Sequence, residues 1–344
     1  MSKQLKADLM LLLITMFWGI SYYLTDLGLT DMGPFTLNAN RFLIAFIVAV
    51  TLTFPKLKNV SKQTLKYSII IGVALVIVYA GATFGIQYTT LSNNSFLCGL
   101  AVVFTPVFSC VFYKKKPDKK LAIVITMTTL GIALLTLKDN FAINYDNLLG
   151  DGLSIMCALA YAIDLNITEK AVSHEDVNPF QLGVFQIGVT GIFNLILAFI
   201  FEKPHFPTQQ SIWITVLFLS ILCTGVAFIV QAIAQQYTTA SHVGVIFSLE
   251  TVFAGIVAFV FAKEVLTFKS YLGAALMITS IFIMEVNFKE IIVNRIKIKQ
   301  DRPIWSILLG KRPILNFPTI HLRYKPFLNR QFLEWLIPLH VFCF

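Results

Sequence analysis

The segment YSIIIGVALVIVYAGATFGI, residues 67–86, decides the class of fold because its twenty consecutive residues carry no charge. A helix needs about 20 apolar residues to cross the hydrocarbon core of a bilayer. Over the whole chain, 57% of the 344 residues are hydrophobic and only 13% are charged, whereas about 25% is usual in soluble domains. The segment is therefore predicted to be one membrane-spanning helix of a chain that lies in lipid.

Nine further runs of the same kind predict an all-α integral membrane protein with ten transmembrane helices. The connections leave no room for a soluble catalytic domain before residue 288. The long uncharged runs exclude an outer-membrane barrel, whose strands are short segments of alternating hydrophobicity. The predicted spans are 7–25, 35–54, 67–87, 92–113, 121–137, 150–168, 179–201, 211–235, 239–262 and 269–287.

The placement of lysines predicts the orientation, because basic loops stay on the cytoplasmic side. The N-terminus, with Lys3 and Lys6, is expected inside. The loops after the second and fourth spans are rich in lysine, whereas the equivalent loops of the second half are not, which is expected if that half is upside down. The lysines concerned are Lys56, Lys58, Lys62, Lys66, Lys114, Lys115, Lys116, Lys119 and Lys120 in the first half, and Lys203, Lys263 and Lys269 in the second.

Two short patterns recur in the two halves of the chain. Gln87-Tyr88-Thr89-Thr90-x-Ser92, at the end of the third span, returns as Gln236-Tyr237-Thr238-Thr239-x-Ser241 at the end of the eighth. Pro34-Phe35 and Pro179-Phe180 begin the second and seventh spans. The second and seventh spans are therefore counterparts, as are the third and eighth.

We accordingly expect two inverted five-helix repeats, residues 1–146 and 147–288, followed by a basic tail over residues 289–344. Folds of this kind usually place a substrate site near the bilayer midplane between the repeats, and alternating access comes from rocking one repeat against the other.

Several short motifs, in this order and spacing, resemble the EamA-type members of the drug/metabolite transporter superfamily, over roughly residues 7–287. The resemblance is carried by Phe17-Trp18-Gly19, Asn40-Arg41-Phe42, Gly85-Ile86-Gln87-Tyr88-Thr89-Thr90, Asn93, Pro106, Gln235-Gln236-Tyr237-Thr238-Thr239, Ser248-Leu249-Glu250-Thr251-Val252-Phe253-Ala254, Lys263-Glu264 and Gly273-Ala274-Ala275-Leu276.

The resemblance implies a secondary transporter of small metabolites, often an exporter of amino acids or related solutes. This chain departs from the family at Thr251, where a proline commonly follows the glutamate, so the proline that would explain a kink in the ninth helix is missing. The tail after residue 288 resembles no part of the family.

Arg41 is the first candidate for binding substrate, because it lies about two turns into the second span. A charge at that depth has to face a partner or a cavity. A guanidinium suits bidentate binding of a substrate carboxylate, and the alternative is a structural pair with a carboxylate or with helix-end carbonyls.

Two carboxyl groups lie inside predicted spans, Asp164 in the sixth and Glu250 in the ninth. Either could carry a coupling proton, since neutral groups are much less costly than charged ones in apolar surroundings. The alternative is a role in packing and hydrogen bonding.

Trp18 lies deep enough in the first span to form a cavity wall, whereas Tyr22 and Tyr23 suit the headgroup region. Asn38, Gln186 and Gln231 are neutral candidates for substrate contacts, although amides also join helices to one another. Gly81-x-x-x-Gly85 predicts close helix packing.

The tail holds 10 of the 27 basic and 3 of the 18 acidic residues, interleaved with aromatic side chains and five prolines. Beside a cytoplasmic membrane face, this composition favours attraction to anionic lipid over nucleic-acid binding, and an altered reading frame is the alternative. The sequence alone leaves a homodimer open.

These observations predict a transporter of small organic metabolites in a bacterial-type inner membrane, with both termini cytoplasmic and without enzymatic activity. The five cysteines have no metal-ligand spacing and no phosphate-binding glycine loop occurs, so neither a metal nor a cofactor is expected. The alternative function is a membrane-embedded receptor or scaffold that keeps the fold without transport.

The predicted orientation is tested by placing single cysteines at Lys116 and at Lys203. In intact cells, an impermeant thiol reagent should modify the cysteine at 203 and leave the one at 116 unmodified. Modification at 116 from outside would contradict both the orientation and the inverted arrangement of the halves.

Overall fold

The computed structural model describes residues 3–89, 91–114, 119–136, 147–261 and 268–285, and every regular element within these ranges is helical. The prediction of an all-α fold is confirmed. The helices are α1 (Lys3–Leu29), α2 (Pro34–Thr53), α3 (Lys62–Tyr88), α4 (Leu91–Gly99), α5 (Ala101–Tyr113), α6 (Lys119–Thr136), α7 (Leu148–Val172), α8 (Pro179–Phe201), α9 (Gln210–Ser220), α10 (Ala227–Ala234), α11 (Ala240–Phe247), α12 (Glu250–Phe261) and α13 (Phe268–Glu285).

Shorter helical pieces join or extend these elements. The 3-10 turns Phe54–Leu57 and Gln235–Tyr237 follow α2 and α10, and a π-helical segment, Ile221–Val226, connects α9 to α10. Lys116, Lys263 and the predicted tail over residues 289–344 lie outside the described residues.

Helix occupies the described part of all ten predicted spans. Seven helical stretches in the described ranges are long and apolar enough to cross a membrane. The other three predicted spans coincide with shorter helices, namely α4 with α5, α6, and α13. The all-helical, two-repeat membrane fold is therefore as predicted, whereas the count of ten spans is matched by seven long helical stretches and three sets of shorter helices.

The fourth and ninth spans are each divided into two helices. The turn between α4 and α5 contains a hydrogen bond from the Leu100 N–H to the Leu97 carbonyl, at 3.2 Å. The turn between α11 and α12 contains the equivalent bond from the Leu249 N–H to the Ile246 carbonyl, at 3.1 Å. Both bonds span three residues rather than four, which tightens the helix locally.

The ninth span is interrupted without a proline at position 251. The Thr251 hydroxyl donates to the Ser248 carbonyl at 2.8 Å. This bond gives a carbonyl at the turn a partner that the α-helical pattern does not supply. The break in the ninth span therefore forms without the proline that is common in the family at this position.

The counterpart helices α2 and α8 run in opposite directions. Glu202, directly after α8, accepts hydrogen bonds from the first N–H groups of α2, those of Phe35 at 2.9 Å and Thr36 at 2.8 Å. At the other end, Gln181 of α8 donates to the Lys56 carbonyl, after α2, at 3.0 Å. Each helix thus begins where the other ends, as two inverted repeats require.

The loops at the Glu202 end are also joined. Thr208 donates to the Asp31 carboxylate from its hydroxyl and from its backbone N–H, the latter at 3.0 Å. The hydroxyl bond, and then the backbone bond, hold the pKa of Asp31 below its usual value.

Glycines let the helices of the bundle approach closely. A Cβ atom on Gly81 would lie 2.7 Å from the Leu153 carbonyl oxygen of α7, and one on Gly85 would overlap the Asn94 amide of α4. The predicted packing role of the Gly81-x-x-x-Gly85 motif is confirmed. The close approach of α3 to α7 fixes two walls of the space described next.

Candidate functional site

A cavity of about 110 Å³ lies at the two helix breaks. Gly99 and Ala101, on either side of the first break, line it, as do Ser248 and Glu250 beside the second. The other lining residues belong to α1, α2, α3, α4, α5, α7, α10, α11 and α12. Helices of both halves therefore meet at this cavity, where folds of inverted repeats usually bind their substrates.

Arg41 lines the cavity and is buried, with 2% of its surface exposed. Its Nε donates to the Thr224 hydroxyl at 2.9 Å, and Nη2 lies 3.4 Å from the Cys223 carbonyl oxygen. The guanidinium carbon is 4.7 Å from the centroid of the Tyr79 ring, a cation–π distance. Within the described ranges, Arg41 forms no ion pair with a carboxylate.

The π-helical segment explains how Arg41 is held. The Thr224 hydroxyl donates to the Leu219 carbonyl, five residues earlier, at 2.8 Å. The wider turn presents the Cys223 carbonyl, which accepts both from Arg41 and from the Trp18 indole, the latter at 2.8 Å. Because an arginine has five N–H donors and only two are used in these bonds, the group can still bind an anion in the cavity.

Trp18 is the centre of an aromatic cluster beside Arg41. Its ring centroid lies 4.8 Å from that of Phe247, 5.7 Å from Phe228 and 6.1 Å from Tyr161. The hydrogen bond from its indole fixes the ring, which is 5% exposed. The predicted position of Trp18 in a cavity wall is where the structure places it.

Glu250 is the first residue of α12 and also lines the cavity. The Tyr22 phenol faces this carboxyl group, and Arg41 is near enough to attract it electrostatically. A carboxylate is favoured in the first turn of a helix, whose end carries a partial positive charge. The cavity thus contains one guanidinium and one carboxyl group, which together suit a polar solute.

Four other candidates lie outside the cavity lining. The Asn38 amide donates to the Thr83 hydroxyl at 3.1 Å, and Thr83 is itself a lining residue. Gln186, on α8, is buried. Asp164 of α7 and Gln231 of α10 are both buried and interact with each other. Direct contact of these four residues with a substrate remains a prediction.

Several lining residues had no signal in the sequence. Tyr79 and Tyr161 lie within apolar runs, and Ser95 and Cys98 are small residues of a kind that helix packing also uses. The sequence favours the headgroup region for Tyr22, but the structure places it in the cavity lining. Tyr22 follows Trp18 by four residues and so shares its helix face. That spacing was the one signal that could have placed it in the cavity.

The described residues contain no group of three or more His, Cys, Asp or Glu side chains placed to hold a metal ion. The polar groups that line the cavity include those of Arg41, Glu250 and Tyr22, beside the aromatic rings.

Both halves of the chain match the model of the EamA-like transporter family, over residues 5–137 and 148–286. An uncharacterized transporter of Archaeoglobus fulgidus is 30% identical over 83% of this chain and 87% of its own length. The uncharacterized transporter YoaV of Bacillus subtilis is 23% identical over 83% of this chain and 98% of its own length.

A further relative and a solved structure extend the likeness. Solute carrier family 35 member F6 of Mus musculus is 29% identical over 35% of this chain and 33% of its own length. One protein of known crystal structure superposes with a TM-score of 0.70 over 83% of this chain and 98% of its own, at 15% sequence identity, and so shares the fold. On the matches to both halves of the sequence, the chain belongs to the EamA-like transporter family and is a multi-pass membrane protein.

Proposed function

We propose that this transporter moves a small organic solute with a carboxylate group, an amino acid or a related metabolite, through the cavity between its repeats by alternating access. The observation that carries the proposal is the position of Arg41, buried in the cavity wall without an ion pair among the described residues. The neighbouring aromatic rings suit the apolar part of such a solute.

Glu250 supplies the second polar group of the proposed site. It can attract a substrate ammonium group when it is ionised, and it can exchange a proton with a solute or water molecule in the cavity. We infer that Glu250 is the first candidate for proton coupling, because it shares the cavity with Arg41. Asp164 is the second, because it is buried on α7 three residues after the lining residue Tyr161.

The direction of transport is proposed to be outward, as the resemblance of the sequence to exporters implies. The proposed location is a bacterial-type inner membrane with the N-terminus inside, on the basis of the lysines at Lys3, Lys6 and in the loop after α2. A receptor or scaffold with this fold is the alternative, but it has no need for a guanidinium and a carboxyl group in one cavity.

Replacing Arg41 by lysine tests the proposed carboxylate site. Arg41→Lys should reduce transport at least about tenfold, because a point charge does not reproduce the planar fork of the guanidinium. Initial rates in reconstituted vesicles measure the effect, with protein amount and thermal stability as checks on folding.

Thr224→Val is the matched control for Arg41→Lys. It removes one anchor of the guanidinium and leaves the group itself, so transport should fall much less. Full activity of Arg41→Lys would contradict carboxylate binding by Arg41. Equal losses in the two variants would mean that Arg41 acts by holding the π-helical segment.

Proton coupling is tested by the amide variants Glu250→Gln and Asp164→Asn. The variant that removes the coupling group should lose net flux driven by a pH gradient but keep exchange of substrate across the membrane, because exchange needs only the loaded carrier to reorient. Glu175→Gln, at an exposed loop position, is the control and should change neither. Undiminished accumulation by both amide variants under a proton gradient would contradict proton coupling at these residues.

A further inference from the structure

Several buried polar atoms without a hydrogen-bond partner in the described part of the chain lie on α7 and α10, two helices that line the cavity. They include the Tyr161 hydroxyl, Asp164 Oδ1, the Thr168 hydroxyl and Gln231 Oε1. Asp164, Thr168 and Gln231 each have 1% of their surface exposed. Such groups are unfavourable in a closed apolar interior, so their accumulation in one region needs an explanation.

These groups form a row that leads away from the cavity. Tyr161 lines the cavity, and Asp164 and Thr168 follow it on α7 at intervals of three and four residues, which keep them on one helix face. Gln231 lies about one turn beyond the lining residue Phe228. Its side chain interacts with Asp164 and donates to Gln235 at 3.4 Å, and Gln235 bonds the Leu165 carbonyl of α7 at 3.1 Å.

The row ends at a contact between an aspartate and a histidine. His242 Nε2 of α11 lies 3.2 Å from Asp8 Oδ1 of α1, and the two residues are only 8% and 7% exposed. Nearby, Glu169 of α7 accepts a hydrogen bond from the Ala240 N–H, the first of α11, at 2.7 Å. The starts of α1 and α11 and the end of α7 therefore meet here, beyond Thr168.

We propose that this row is the closed half of the transport path and that the contact between Asp8 and His242 closes its end. The inference rests on the proposed function, since a path is needed only if a solute crosses the bundle. When this half opens, water or solute supplies the hydrogen bonds that the row lacks in the closed state. With the N-terminus inside and transport outward, as proposed above, the substrate would pass along Asp164 and Gln231 on its way into the cavity, towards Arg41 and Glu250.

The second repeat offers a comparison at the opposite end. Asp151, near the start of α7, accepts a hydrogen bond from the Thr89 hydroxyl after α3, at 2.6 Å. A carboxylate near the start of the first helix of each repeat thus holds one end of the bundle. The Asp151 contact is between a charged and a neutral group, whereas the Asp8 contact pairs two titratable side chains.

The proposal is tested with a cysteine reporter in the row. The full chain, with its five native cysteines replaced by alanine and with Thr168→Cys added, is reconstituted in vesicles. An impermeant thiol reagent is applied to the side on which α1 begins. Asp8→Asn and His242→Gln should each raise the rate of modification about tenfold, because weakening the contact shifts the population towards the open state. Asp151→Asn, the same substitution at the other end, should leave the rate within about twofold.

An unchanged rate in both Asp8→Asn and His242→Gln would overturn the proposal, as would an equal increase in Asp151→Asn. If either single variant elutes as aggregate, the rate of modification is measured instead in the exchanged pair, the double variant Asp8→His with His242→Asp. Slow modification in the exchanged pair supports closure by the contact between these two side chains, and fast modification overturns it. Modification needs no substrate, so the row can be confirmed even if no solute is transported, and the two proposals fail separately.

Discussion

The charge of Arg41 inside the bilayer is the constraint on which the arrangement of the other groups depends. An arginine at the centre of a membrane helix costs about 2.5–3.5 kcal/mol on insertion scales unless the protein compensates for it. The compensation comes from the Thr224 hydroxyl, the Cys223 carbonyl and the face of Tyr79. A π-helical turn makes that carbonyl available, and Trp18 uses the same oxygen.

The cavity exists because two spans are interrupted at corresponding places. Irregular backbone inside a membrane is tolerated where it is buried in protein or lines a polar space, and both breaks line the cavity. The first break leaves Ala101 and the second leaves Glu250 at the start of a new helix. Inverted repeats supply these two breaks from opposite sides, so one internal symmetry produces both walls of the site.

The sequence predicts most of the fold and part of the candidate site. The spans can be recognised because a helix that crosses the membrane needs a long uncharged run of residues. The two halves can be recognised because the patterns at Pro34 and Pro179 are alike. Arg41, Trp18 and Glu250 were found because charged and large aromatic residues are conspicuous in apolar segments. Their spatial relation was not predictable, since the hydrogen-bond partners of Arg41 lie more than 180 residues away along the chain.

Other features were missed for equally physical reasons. The turn at Leu249 depends on a hydrogen bond from the Thr251 hydroxyl rather than on a proline, and a threonine in a sequence does not by itself predict a break in a helix. Asn38 and Gln186 have amide side chains of the kind that can bind a substrate, but the structure places both outside the cavity lining. A single amide within an apolar run does not indicate which face of the helix meets a cavity.

The central claim is that the cavity binds the carboxylate of its substrate, and paired solutes test it most directly. The reconstituted protein is offered a panel of labelled small metabolites under an imposed pH gradient, each acid beside its uncharged amide. The account predicts that accumulated solutes carry a carboxylate and that their amides are transported at least about tenfold more slowly. Equal transport of acids and amides, or accumulation only of solutes that lack a carboxylate, would contradict it.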